Sequence, residues 1–159
     1  MIIPLDLEDS NTAQCILDLQ RTAYRIEADM MDTDDIPPMR DNESALRTCG
    51  ESFYGYERDG TVIGLVSYQL KDGMLELCRL VVSPSYFRRG IGRQLVDFVL
   101  CQPSWDLATV CTGSVNEPAL SLYKSVGFQE AEDLEVSPGI ILTRLEQVKE
   151  RSDRIEKTS

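Results

Sequence analysis

Two segments carry residue types that could do chemistry at a useful spacing. The first is Leu80-Val81-Val82-Ser83-Pro84-Ser85-Tyr86-Phe87-Arg88-Arg89-Gly90-Ile91-Gly92-Arg93, an apolar run leading through a glycine loop into a helical pattern. The first N–H groups of a helix lack intrahelical partners, and the helix dipole adds partial positive charge there. Gly90 and Gly92 let the backbone approach an anion without a Cβ in the way, and Arg88, Arg89 and Arg93 add charge. A diphosphate is the natural guest of such a loop. The second segment is Asn116-Glu117-Pro118-Ala119-Leu120-Ser121-Leu122-Tyr123-Lys124-Ser125-Val126-Gly127-Phe128. Its tyrosine has a phenol that is protonated at neutral pH and can donate to a leaving group. A tyrosine packed by its ring alone remains the alternative, since Leu120 and Val126 share its helix.

The elements that must hold these segments are legible in outline. Leu5 to Glu8 reads as a short opening strand or lead-in, and Asp9-Ser10-Asn11 offers N-caps for a helix. Ile16, Leu19, Ala23, Ile26 and Met30 recur near helical period. Met31 to Met39 is acidic, ends in Pro37-Pro38 and reads as a loop, and Glu43 to Cys49 reads as a short helix closed by Gly50. Two Asp-Gly turns, Asp59-Gly60 and Asp72-Gly73, separate β-rich runs and predict a three-stranded antiparallel meander ending at Val82. A helix over 92–100, a strand over 107–112, a helix from Asn116 to Gly127 and strands over 128–136 and 139–145 complete the order. This is an α/β sheet, antiparallel at first, with a parallel crossover in its second half. Residues 1–145 read as one domain and 146–159 as a charged tail, frayed or disordered.

Composition removes several kinds of chemistry. There is no histidine, which excludes a Ser-His-Asp triad and a Cys-His pair. The five cysteines, Cys15, Cys49, Cys78, Cys101 and Cys111, have neither an even count nor metal-ligand spacing, so reduced and mostly buried thiols are expected, with no metal. No Gly-Lys-Ser/Thr follows the loop, and Leu95 stands where a dinucleotide fingerprint needs its third glycine. The net charge of −11 argues against a nucleic-acid partner. The first residues carry no basic region and no long apolar run, so neither a leader nor a membrane span is expected and a cytoplasmic location is. Acids cluster at Glu27, Asp29, Asp32, Asp34, Asp35, Asp41 and Glu43, with Arg40 the only base among them, and again at Glu130, Glu132, Asp133 and Glu135. Arg79, Arg88, Arg89 and Arg93 form a local basic group.

Taken together, Leu80-Val81-Val82-x-Pro84, Phe87-Arg88-Arg89-Gly90-Ile91-Gly92 and Asn116…Ala119…Tyr123…Gly127-Phe128 resemble the GNAT superfamily of acyl-CoA-dependent N-acetyltransferases. The likeness covers about residues 50–145 well and the earlier residues in layout only. The family's loop reads Gln/Arg-x-x-Gly-x-Gly/Ala, and Phe87 departs from it at the first position, which puts the side-chain part of the diphosphate contact in question. The resemblance implies a mixed, mostly antiparallel sheet whose two central strands, ending near Val82 and Val110, splay into a V. It implies acetyl-CoA as cofactor, with pantetheine in the V against Leu80, Val81 and Val82, the diphosphate on Arg88, Arg89, Gly90, Ile91, Gly92 and Arg93, and Asn116 beside the pantetheine arm. Tyr123 would protonate the departing thiolate. Glu76, an acid inside the apolar run Met74 to Val82, stands where some members place a general base. Glu27 on the first helix is its rival, and a solvent-facing Glu76 is equally compatible with the strand's alternation.

Direct attack of an amine on the thioester, in a ternary complex, is the implied mechanism. The expected acceptor is a small cationic amine, such as a polyamine, an aminoglycoside-like amine or a lysine side chain, drawn by the two acidic clusters. A protein or peptide N-acetyltransferase with a basic peptide substrate, and a non-catalytic acyl-CoA sensor, are the alternatives. Homodimers are common in the family, so a homodimer is possible here.

Overall fold

The computed structural model describes residues 1–32 and 41–149. Its elements are β1 (Ile2–Pro4), α1 (Ser10–Met30), α2 (Glu43–Thr48), β2 (Ser52–Arg58), β3 (Thr61–Lys71), β4 (Met74–Val82), α3 (Ile91–Leu100), β5 (Leu107–Gly113), α4 (Glu117–Ser125), β6 (Gln129–Ser137) and β7 (Ile140–Val148). One seven-stranded sheet has the order β1-β2-β3-β4-β5-β7-β6. All neighbours are antiparallel except β4 and β5, which the crossover through α3 makes parallel. Among the described residues no helix is long and apolar enough to cross a membrane.

Local chemistry explains the elements. Asp9 caps α1 by accepting from the Asn11 amide at 2.9 Å, and Asn42 caps α2 from the Ala45 amide at 2.8 Å. Both Asp-Gly turns have positive φ at both residues, 52° and 78° at Asp59-Gly60 and 52° and 79° at Asp72-Gly73, the geometry that two-residue hairpins require. The apolar alternation of the sheet feeds two cores. Leu95, Val96 and Val99 of α3 and Leu120 of α4 pack on Val66, Leu75, Leu77 and Val110. On the other face Ile16 and Leu17 of α1 and Leu46 of α2 cover Phe53, Leu65 and Val81. Each fully buried aliphatic side chain contributes about 1.5–3 kcal/mol.

Two boundaries differ notably from the sequence reading. The opening strand is Ile2–Pro4, not Leu5–Glu8, because it pairs with Tyr54–Tyr56 of β2. β7 runs on to Val148, three residues into the expected tail, because Glu146, Gln147 and Val148 pair with Thr109, Ala108 and Leu107 of β5. Residues 150–159 of that tail, and 33–39 of the acidic loop with Pro37-Pro38, lie outside the described residues. All five cysteines are free, but none is fully buried, and Cys101 and Cys111 are exposed.

The feature that builds the site lies in β4. Ser67 pairs with Arg79 and Tyr68 with Leu77, so Cys78 is an extra residue, a β-bulge. At the same level β4 leaves β5. The parallel pairing runs from Met74↔Leu107 to Leu77↔Val110 and stops, while β5 stays paired with β7 as far as Gly113↔Leu142. The expected V therefore opens between Cys78–Val82 and Cys111–Gly113.

Candidate active site

Two cavities meet in this V. One, of about 510 Å³, lies between the C-terminal half of α1, the end of β4 and the starts of α3 and α4. The other, of about 420 Å³, lies among α1, β4, β5 and the β6–β7 hairpin. Tyr24, Glu27, Leu80, Asn116 and Ala119 line both.

The first cavity has the donors that a diphosphate and an amide-bearing arm need. Gly90, at φ 78°, is the N-cap of α3 and has no side-chain capping bond, so the Ile91, Gly92 and Arg93 amides are uncapped. Arg88 also adopts a left-handed φ of 64°, which costs a residue with a Cβ and turns successive amides the same way. Gly92 serves packing as well: a Cβ there would stand 3.3 Å from Leu122 Cδ2, so glycine lets α3 lie close to α4. The Ser83 amide donates to Ile63 O at 2.8 Å, toward β3. Strand amides alternate, so those of Val82 and Leu80 face the open side of β4. These are the groups that an extended amide chain adds to at a sheet edge. The residues fit a coenzyme A of the kind the loop implied.

Of the cofactor residues read from the sequence, Leu80, Val81, Val82, Arg88, Gly90, Ile91, Gly92, Arg93 and Asn116 line this cavity. Arg89 does not; its guanidinium lies over the Tyr86 ring, 5.2 Å from the centroid. Phe87 lines it and is 46% exposed. Ala23, Ile26 and Met30, read as a core stripe of α1, line it too.

Arg79 leaves the basic group altogether. Its side chain is 9% exposed, its Nε donates to Glu51 Oε1 at 2.9 Å, its Nη1 donates to Gln20 Oε1 at 3.0 Å and pairs with Asp41, and it stacks on Phe53. It ties α1 and the start of α2 to the sheet.

At the junction Glu27 Oε2 accepts from Asn116 Nδ2 at 2.7 Å and from Thr112 Oγ1 at 3.3 Å. Asn116 Oδ1 caps α4 from the Ala119 amide at 3.2 Å, so one asparagine serves both as cap and as link to α1. Tyr123 is buried, edge-on to Phe128 at 5.8 Å, and lines the second cavity. Burial first, then the Glu27 charge, push its phenol above the ordinary value, which keeps it protonated. Tyr24, one turn before Glu27, is shifted upward by the same two causes in the same order. Among the described residues no side chain or carbonyl accepts from the Tyr123 hydroxyl, and it is not sealed from the cavity.

Glu76 lies in neither cavity. It is exposed on β4, paired across to Gln69 and Thr109. Leu75 and Leu77 share the α3 face with Leu80 and Val82, so Glu76 points to the opposite face, from which its charge is still felt at Cys78 and Cys111. The thiols offer no nucleophile: burial and nearby carboxylates push Cys78 up to about 12, and burial raises Cys111. Sequence reasoning missed Tyr24, Thr112, Met31, Val136, Ile140 and Leu142. Only Tyr24, three residues before Glu27 on one helix, left a readable signal.

Comparison with known proteins agrees with this geometry. Residues 14–128 match the model of the acetyltransferase (GNAT) family. The UPF0157 protein YqkA of Bacillus subtilis (strain 168) is 37% identical over 144 residues, which is 90% of this chain and 42% of that protein. The chain thus spans less than half the length of that curated relative. Among solved structures, the PaiA N-acetyltransferase from Thermoplasma acidophilum in complex with coenzyme A has a TM-score of 0.73 at 18% identity, covering 94% of this chain and 98% of that one. The ribosomal-protein-S18-alanine N-acetyltransferase from Escherichia coli has a TM-score of 0.73 at 16% identity, covering 96% and 95%. YncA from Salmonella typhimurium, with its cofactor acetyl-CoA, has 0.69 at 18%, covering 96% and 95%. At these identities the three structures speak to the fold, and the family rests on the matched residues: the chain belongs to the GNAT acetyltransferases, enzymes that use acetyl-CoA.

Proposed function

We propose that this chain transfers the acetyl group of acetyl-CoA to an amine by direct attack within a ternary complex. The observation that carries the reading is the meeting of the two cavities at Glu27, Asn116 and Ala119, with the Tyr123 phenol beside it. Bound acetyl-CoA supplies an activated carbonyl and a thiolate leaving group. The α3 amides with Arg88 and Arg93 hold the diphosphate, and the Leu80 and Val82 amides hold the pantetheine arm against β4. Glu27 receives the ammonium and takes its proton, in the role that the sequence reading gave to Glu76. Tyr123 holds a proton at Oη for the departing sulfur. Much of the acceleration comes from holding the two reactants together. Direct attack needs no enzyme thioester, and burial raises both thiols of the second cavity, Cys78 and Cys111. The five free thiols fit a reducing, cytoplasmic setting, and the −11 charge fits a small-molecule acceptor better than nucleic acid.

The test is calorimetric titration with acetyl-CoA and with coenzyme A, followed by thiol release over a panel of amines, for the chain and for Tyr123→Phe. The transferase reading expects micromolar binding by both proteins and turnover that falls steeply in the variant. Equal coenzyme A binding with no turnover by either protein makes the chain a sensor.

A further inference from the structure

The second cavity carries more information than the presence of an acceptor site. Most of its walls are apolar, with Met31 from α1, Leu77 from β4, Val110 from β5, and Val136, Ile140 and Leu142 from the hairpin, beside the thiols Cys78 and Cys111 and the polar groups of Thr112, Asn116, Tyr24 and Tyr123. Two charged residues line it. Arg79 is one, and its guanidinium is spent on Asp41 and Glu51. That leaves Glu27 as the one carboxylate in the cavity among the described residues, at the junction with the cofactor cleft. Both hydrogen bonds to Glu27 reach Oε2, so Oε1 is free for a cation.

No acid of β6 lines the cavity, though the charge of Glu132 is felt at Cys111 on its wall. Glu130 pairs with Lys124, Glu132 with Arg144 at 3.4 Å, and Asp133 accepts from Thr143 Oγ1 at 2.8 Å. Of the first acidic cluster, Asp32 is exposed and lines neither cavity, and Asp34 and Asp35 lie outside the described residues. At the hairpin end the cavity is bordered by Val136, which is 55% exposed. An apolar body entering the cavity there would cover that side chain.

We infer that the acceptor is a monoamine carrying an apolar body, an alkyl- or arylalkylamine, and not a polyamine or an aminoglycoside. The inference rests on the transferase reading above and narrows its acceptor. The single ammonium sits on Glu27 and the hydrocarbon fills the cavity toward Val136 and Ile140. A second ammonium a few carbons away would be stripped of water among Met31, Val110 and Leu142, where among the described residues no second carboxylate lines the cavity to meet it. The reaction balances without another reactant. The ammonium loses one proton to Glu27 and from there to solvent, the N–C bond forms as the C–S bond breaks, and the second proton leaving nitrogen restores the phenol after Tyr123 has given its own proton to sulfur, leaving an amide, a thiol and one released proton.

The test is thiol release from acetyl-CoA by the full chain over propylamine, butylamine, pentylamine and hexylamine, with 1,6-diaminohexane, spermidine and kanamycin beside them. Coenzyme A binding is measured by calorimetry on the same preparation. The expected result is a kcat/KM that rises about fourfold per methylene, the ratio for a buried CH₂, and a diamine at least about tenfold poorer than hexylamine. Val136→Asp, a change at an exposed position that leaves the core intact, should narrow or reverse that gap. A flat series, or a diamine or spermidine preferred to hexylamine, overturns the inference while leaving the transferase standing. Coenzyme A binding without turnover on any monoamine also overturns it. Absence of coenzyme A binding removes the transferase reading itself, and the inference with it.

Discussion

Tyr123 and Glu27 behave as a pair because each sits where the other's charge matters. Burial and the Glu27 carboxylate both favour the neutral phenol, so Tyr123 stays a proton donor past the pH of about 10 at which a free tyrosine ionises. Tyr123→Phe should lower kcat about 10²-fold, the range for a lost general acid, and leave the calorimetric Kd for coenzyme A unchanged. The same shift has a cost in stability. A phenol whose folded pKa is raised contributes nothing to destabilise the fold below about pH 10, and above it the unfolded chain gains by ionising. Tyr24 and Tyr123 should therefore titrate only as the protein unfolds. Tyrosinate absorbance followed with circular dichroism through alkaline pH checks this: ionisation of all six tyrosines before any loss of structure would refute it. Tyr123 was read from its motif. Of the two acids weighed in the sequence, Glu76 and Glu27, only Glu27 lines the cavities, a distinction that no local pattern marks.

At the scale of elements, the cofactor half of the site was readable because it is contiguous. One strand, one loop and one helix start carry most of it, and glycine spacing marks the join. The acceptor half draws on α1, β4, β5 and the hairpin, segments more than a hundred residues apart, with no local pattern binding them. Gly92 shows what the join requires. Gly92→Ala places a methyl 3.3 Å from Leu122, so α3 must shift from α4 or Leu122 must yield. Coenzyme A affinity should fall about tenfold with helical circular dichroism retained, as expected for a shift of amides by a fraction of an ångström. The Arg79 network makes the opposite demand. It joins α1, the start of α2, β2 and β3 through one guanidinium and two carboxylates that are 9%, 19% and 12% exposed. Glu51→Ala leaves a buried cation half-paired and should cost about 3–5 kcal/mol in urea unfolding. Arg79→Met with Glu51→Leu and Asp41→Leu should recover much of that loss, since a buried ion triad replaced by matched apolar groups is often neutral.

Over the whole molecule the charge is divided rather than uniform. The chain carries −11, yet the cofactor cleft is bordered by Arg88 and Arg93. An anionic cofactor approaches a negative protein through one positive opening, and that opening is a short-range effect. Arg88→Glu with Arg93→Glu should weaken coenzyme A binding at least about tenfold at low salt. The deficit should shrink toward 1 M salt, where the screening length is about 3 Å. A deficit independent of salt would mean that the arginines act through shape alone.

The strand at the far end of the sheet has a consequence outside catalysis. All nine residues of β6 are exposed, and its outer edge is unpaired. Leu134 and Val136 on it, 38% and 55% exposed, alternate with Asp133 and Glu135. Such an edge is a template on which another chain can add a strand, and the carboxylates are what forbid it. Loss of those charges is thus the change by which this protein turns adhesive. In Asp133→Asn with Glu135→Gln, light scattering should rise while the secondary structure is still intact, with fibrillar rather than amorphous deposits.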